Sequence, residues 1–160
     1  MEHLTSFIDF FTEYGKHNKI LTKITAIYVY SEREIETLLR MKCANPNKMV
    51  GFLFKPKVEI CYAFGLIHEP LHYNLQQLNT LRNHFAHKNS NDFSHVKENN
   101  LTFRFLQRNG KYLNKNLKKL APDEILDHIM QVTIPPLYAI TSFEATLRKR
   151  QLKQAQPGKG

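Results

Sequence analysis

Apolar residues recur at steps of four and three between residues 70 and 88, where Leu71, Leu75, Leu78, Leu81 and Phe85 fall on one helical face. The same spacing predicts a short amphipathic helix over 3–15, from Leu4, Phe7, Ile8, Phe11 and Tyr14, stopping at Gly15 and covering the bundle as a lid. A long helix is expected over 19–43, with Ile20, Ile24, Ile27, Ile35 and Leu38 in a stripe interrupted by Ser31 and Glu34. Residues 45–48 compose a turn, and 49–54 an apolar connector. Pro56 suits a helix start and Gly65 a helix end, with Val58, Ile60, Cys61, Tyr62 and Phe64 between them on more than one side.

Residues 88–100 are rich in turn formers and read as a loop. Residues 101–107 alternate weakly; because a lone strand has no partner in a helical bundle, they are expected to be extended or a short helix. Residues 108–112 read as a turn, Lys111 to Lys119 as a basic run, Pro122 with Asp123 and Glu124 as a helix start, and Pro135–Pro136 as a break or kink. A last helix then runs from about Pro136 to Lys153, with Leu137, Ile140, Phe143 and Leu147 inward. No internal repeat is evident. The pattern predicts one all-α domain over 1–155, a bundle of about five or six helices, and a fraying tail over 156–160.

A polar cluster, Arg82, Asn83, His84 and His87, closes the 70–88 helix. At about 100° per residue, Arg82 falls roughly 40° from Leu78, inside the leucine stripe, while Asn83 and His87 fall near 140° and 180°. A guanidinium keeps its proton, so on an apolar face it calls for a carboxylate, a phosphate or a route to water. Glu32, Glu34 and Glu36 on the first long helix are the candidate counter-ions, with Glu34 nearest the core side.

Arg82-Asn83-x-x-x-His87 resembles the arginine, polar residue and histidine signature of HEPN domains, helical bundles found as nucleases and nucleic-acid-linked regulators. The run 55–67, with its lysine-rich start and Gly-Leu-Ile end, followed by 78–87, is similar to the core of the mannitol-operon repressor (MltR-like) family. The resemblance spans roughly residues 20–90. It implies a HEPN/MltR-like helical bundle and, among the nucleases, a dimer that brings two copies of the motif to one cleft. In that reading His87 is the general acid or base, Arg82 holds the phosphate and Asn83 orients the pair.

At 160 residues, with 42% hydrophobic and 23% charged residues, the chain is sized for one globular domain. Its net charge of +9 is concentrated late: residues 1–100 hold 12 basic against 10 acidic side chains, and 101–160 hold 11 against 4. Lys111, Lys115, Lys118, Lys119, Arg148, Lys149 and Arg150 are the candidate polyanion-binding residues. Cys43 and Cys61 are too few and too far apart for a disulfide scaffold or a paired metal site, and read as reduced core residues. No basic leader precedes the first apolar residues and no apolar run reaches about 18, so the expectation is a cytoplasmic protein without a membrane span. His68-Glu69-Pro70-Leu71-His72 matches a zinc-protease pattern by letter. Pro70 places the helix start after His68, which takes the two histidines off a common helical face. No metal and no cofactor is therefore expected.

Three functions fit these residues. The first is a non-catalytic regulator acting through a protein or RNA partner, since no helix-turn-helix is present to read an operator. The second is a metal-independent endoribonuclease using Arg82 and His87. The third is a toxin-neutralising protein on a HEPN-like scaffold, in which the bundle is reused without its chemistry.

Overall fold

The computed structural model describes residues 2–16, 19–88, 101–106, 111–117 and 120–155. Six helices and a β-hairpin are formed by the described residues: α1 (Glu2–Lys16), α2 (Ile20–Lys42), α3 (Asn47–Val50), α4 (Phe54–Ala63), α5 (Glu69–Lys88), β1 (Thr102–Leu106), β2 (Tyr112–Asn116) and α6 (Pro122–Gln154). The α2 helix lies at the centre, packed on α4, α5 and α6, and its buried stripe of Ile24, Ile27, Ile35 and Leu38 is fully withdrawn from water. The predicted stripe of α5 is buried throughout. The bundle forms because each helix carries one such apolar face and must cover it.

Gly65 ends α4 with a left-handed φ of 67°. Leu66 N–H reaches Cys61 C=O at 2.8 Å, and Gly65 N–H reaches Tyr62 C=O at 2.9 Å, the paired bonds of a Schellman termination. A side chain at Gly65 would be strained by that φ, although the space around it is open. At the other end of the chain, Glu124 accepts the Ala121 N–H at 2.8 Å and Pro122 opens α6. The α1 helix covers α2 and α6 through rings: Phe10 lies 4.8 Å from Tyr30 of α2, and Phe7 stacks on Tyr138 of α6 at 4.2 Å.

Ile8 and Phe11 of α1 and Phe143 of α6, expected on buried faces, are exposed. Two further expectations, about the path of the chain, are corrected. Residues 102–106 do find a strand partner, because 112–116 folds back on them in antiparallel register from Thr102↔Asn116 to Leu106↔Tyr112. The alternation read as weak was one half of a hairpin whose other half lay within the basic run. Pro135 and Pro136 do not divide the last segment; α6 runs through them for 33 residues. A proline removes the bond to the carbonyl four residues earlier, which for Pro136 is Val132. That carbonyl instead accepts Asn74 Nδ2 of α5 at 3.2 Å, and Gln131, the counterpart for Pro135, sits at an exposed position. The helix continues because a neighbour supplies the missing donor.

Candidate functional site

The α5 helix is regular to Lys88, past Ala86, so Arg82 and His87 stay about 140° apart and do not meet within one protomer. Arg82 is half-buried. Its guanidinium lies 5.3 Å from the centre of the Tyr28 ring of α2, and Nη1 donates to Asn83 Oδ1 at 3.1 Å. His87 is exposed. His84 sits edge-on to Phe85, with ring centres 5.9 Å apart.

The carboxylates assigned to Arg82 are taken by other groups. Lys57 of α4, only 2% exposed, donates to Glu32 Oε1 at 3.0 Å and to Glu36 Oε1 at 2.5 Å. Burial alone lowers the Lys57 pKa, but the bonds to Glu36 and Glu32 outweigh it and hold the ammonium above its ordinary 10.5. Glu34, 1% exposed, accepts Thr141 Oγ1 of α6 at 2.6 Å. Burial, followed by the Glu34 carboxylate, pushes the Tyr30 hydroxyl well above its ordinary range. Glu32, Glu34 and Glu36 were the expected counter-ions of Arg82; instead Lys57 and Thr141 hold them, and the Arg82 guanidinium lies over the Tyr28 ring.

Lys57 is the basic residue that pattern reading passed over. The signal was present: Phe54, Lys57 and Cys61 fall at steps of three and four, and all three are buried. Arg82→Ala is therefore expected to cost only about 1 kcal/mol, the worth of a cation–π contact and one hydrogen bond, rather than the roughly 3–5 kcal/mol of a broken buried ion pair. Urea unfolding of that variant measures the difference.

The histidines of the His-Glu-x-x-His run are engaged apart from each other. His68 lies outside α5 and its Nδ1 accepts the Leu71 N–H at 3.3 Å, capping the helix. Burial, opposed by Glu69, lowers its pKa and favours the neutral ring that this bond requires. His72 Nε2 pairs with Glu59 Oε2 at 3.0 Å, and its ring stacks on Tyr62 at 4.2 Å.

Of the basic candidates, Lys111 is exposed, Lys115 belongs to β2, and Lys118 and Lys119 lie outside the described residues. Arg148, Lys149 and Arg150 are exposed near the end of α6. Every residue from 148 to 155 is exposed, more than two helical turns, so this end of the helix stands clear of the bundle on all sides.

A concavity lies where the N-terminal end of α5, β1 and α6 meet. It encloses about 610 Å³ and is lined in part by His68, Asn74, Arg104, Phe105, His128 and Val132. Asn74 fastens its walls: Nδ2 donates to Arg104 C=O at 2.8 Å as well as to Val132 C=O, and Oδ1 accepts Arg104 N–H at 2.7 Å. Arg104 lies 4.2 Å over the Tyr73 ring and pairs through Nη1 with Glu69. Neither Asn74 nor Arg104 was singled out from the sequence, since their relation spans thirty residues and depends on the hairpin. No family model, curated protein or solved structure matches this chain.

Proposed function

We propose that the chain is a non-catalytic regulatory protein of HEPN/MltR-like type that binds RNA through the free cationic end of α6. The observation that carries this reading is the projecting stretch with Arg148, Lys149, Arg150 and Lys153, four cations within six residues and exposed on every side. Four positive charges outweigh the roughly half negative charge of a helix C-terminus. Such a rod can follow a phosphate backbone and gains affinity from released counter-ions. Glu144, the nearest acid on this helix, is tied back to Lys42 of α2 and leaves the cationic end uncompensated.

Catalysis receives less support, because a nuclease centre needs Arg82 and His87 around one phosphate. With α5 regular through both residues, only a partner protomer can complete such a centre.

Titrating a labelled single-stranded RNA at several salt concentrations tests the proposal. The change of Arg148, Lys149 and Arg150 together to Gln is expected to weaken binding at least tenfold at low salt and to flatten the salt slope by about 2, given about 0.7 per phosphate contact on a single strand. The same RNA, incubated with chelator, is expected to stay intact with the wild type, Arg82→Ala and His87→Ala. Cleavage by the wild type alone would establish the nuclease reading instead. An unchanged RNA affinity in the triple variant would remove the proposed surface.

A further inference from the structure

We infer that the groove between α3 and the C-terminal ends of α2 and α4 is a binding site for a medium-chain monocarboxylate, an anion with one charged head and an apolar tail. The groove encloses about 520 Å³, within the range of small-molecule sites. Cys43, Met49, Phe64 and Leu66 make its lining largely apolar, and Lys42 and Lys48 are its charged members. No acid lines it among the described residues. Phe64 is 69% exposed, a large ring left in water beside a concavity where an apolar tail would cover it.

Local chain geometry holds this groove open. Gly65 reverses the chain as soon as α4 ends, which leaves Phe64, the C-cap, at the surface while Leu66 N–H returns to Cys61 C=O. Across the groove, Cys43 closes α2 with its N–H on Leu39 C=O at 2.8 Å. The single turn of α3 is set by Lys48 N–H on Asn45 C=O at 3.3 Å and Met49 N–H on Pro46 C=O at 2.9 Å. A ligand meets backbones that are already fixed, so little ordering is left to oppose binding.

Charge selects the head group. Lys42 is paired with Glu144, whereas Lys48 is exposed and has no acid partner among the described residues. One uncompensated ammonium answers one negative charge, and it does so as a point charge, without the fork that a guanidinium offers to phosphate. The Asn45 amide, also in the lining, can donate to the second carboxylate oxygen. Residues 40–66 hold five basic side chains and one acidic, Glu59, which is bonded to His72 and Gln76. The surroundings therefore repel a cationic amphiphile and attract an anionic one.

Isothermal titration of the whole chain with hexanoate, octanoate and decanoate, beside acetate, decanol and decylamine, tests the inference independently of RNA binding by α6. Decanoate, kept below the concentration at which it self-associates, is expected to saturate one site per chain. Affinity should rise about threefold per added methylene along the acids, and decanoate should bind about tenfold or more tighter than decanol. Lys48→Gln is expected to remove that preference and leave decanol binding unchanged. Cys43 reports occupancy directly, because Cys61 is buried and its thiol is pushed up to about 12 by burial and then by Cys43. Modification of Cys43 by a disulfide reagent should slow roughly tenfold when decanoate stands at about ten times its Kd. Ala44→Trp, at an exposed position in the lining, fills the groove and is expected to abolish binding while leaving the circular dichroism and urea midpoint at wild-type values. The inference is overturned if no acid saturates the wild type, if decanol or decylamine binds as tightly as decanoate, or if a folded Ala44→Trp variant retains full affinity. Self-association of the free chain that Ala44→Trp abolishes and decanoate leaves unchanged would overturn it too, and would assign the groove to a second copy.

Discussion

Lys57→Met is expected to lower stability by about 3 kcal/mol, although the substitution puts an apolar side chain into a position only 2% exposed. Among the described residues the lysine is the single bridge between Glu32 and Glu36, and without it the two carboxylates lose their shared counter-ion. The expected figure lies at the low end of the roughly 3–5 kcal/mol typical for a broken buried pair. The reason is that the carboxylate side chains keep 31% and 27% exposure, so water screens part of the repulsion. Urea unfolding at neutral pH measures the loss. Glu32→Gln and Glu36→Gln added to Lys57→Met are expected to restore most of it, since neutral amides no longer repel. A triple variant as unstable as Lys57→Met would show that the lysine acts through packing alone.

The pH dependence of this network has a definite sign. The Lys57 pKa is raised in the folded protein, so its stabilisation is complete below the unfolded value of 10.5 and is lost as pH rises through the higher folded value. The gap in urea midpoint between wild type and Lys57→Met should close in that alkaline window. Tyr14 also opposes the fold there: burial, then Asp127 and Asp123, push its hydroxyl up to about 12, so its contribution is lost between pH 10 and 12. Tyr14 is common to both proteins, and the comparison cancels it.

Asn74→Leu is the second large effect, also about 3 kcal/mol. It strands the Val132 carbonyl, which Pro136 cannot serve, together with the N–H and C=O of Arg104. Each buried orphan costs about 1–3 kcal/mol, and the low end is expected here because Asn74, Arg104 and Val132 border a cleft. The diagnostic measurement is a double-mutant cycle with Pro136→Ala, which returns an N–H four residues after Val132. Pro136→Ala is expected to stabilise the Asn74→Leu protein by about 1 kcal/mol more than it stabilises the wild type. Equal effects in the two backgrounds would mean that the Asn74 bond does not substitute for the helical one.

The same pairing explains why the final helix was misread. Pro135–Pro136 is a local stop signal, and at the level of helix propensity two prolines cost several kcal/mol. Only a side chain 58 residues away in sequence, Asn74, makes continuity tolerable, and periodicity carries no record of such a donor. The hairpin was hidden for a related reason. A strand is recognisable through its partner, and 102–106 was judged alone while 112–116 was counted as charge.

The cluster around Arg82 divides along the same line. Helical arithmetic placed Arg82 toward α2, left His87 exposed, kept the two about 140° apart, and put Glu34 inside the core. It did not show which cation the acids would hold. Arg82 and Lys57 both sit on apolar faces, and the choice between them depends on how α4 and α5 are set around α2. Lys57 reaches Glu32 and Glu36 directly, whereas Tyr28 stands under the Arg82 guanidinium.

By itself, the sequence determined the buried stripes of α2 and α5, the glycine stop after α4, the proline start of α6 and the late concentration of positive charge. All of these are written in spacings of a few residues and in residue types with strong local preferences. The tertiary structure alone decided the Lys57 network, the hairpin, the unbroken α6 and the cleft held by Asn74. Each depends on a polar group meeting a partner from another element, and burial makes such meetings obligatory without stating in the local pattern which partner it will be.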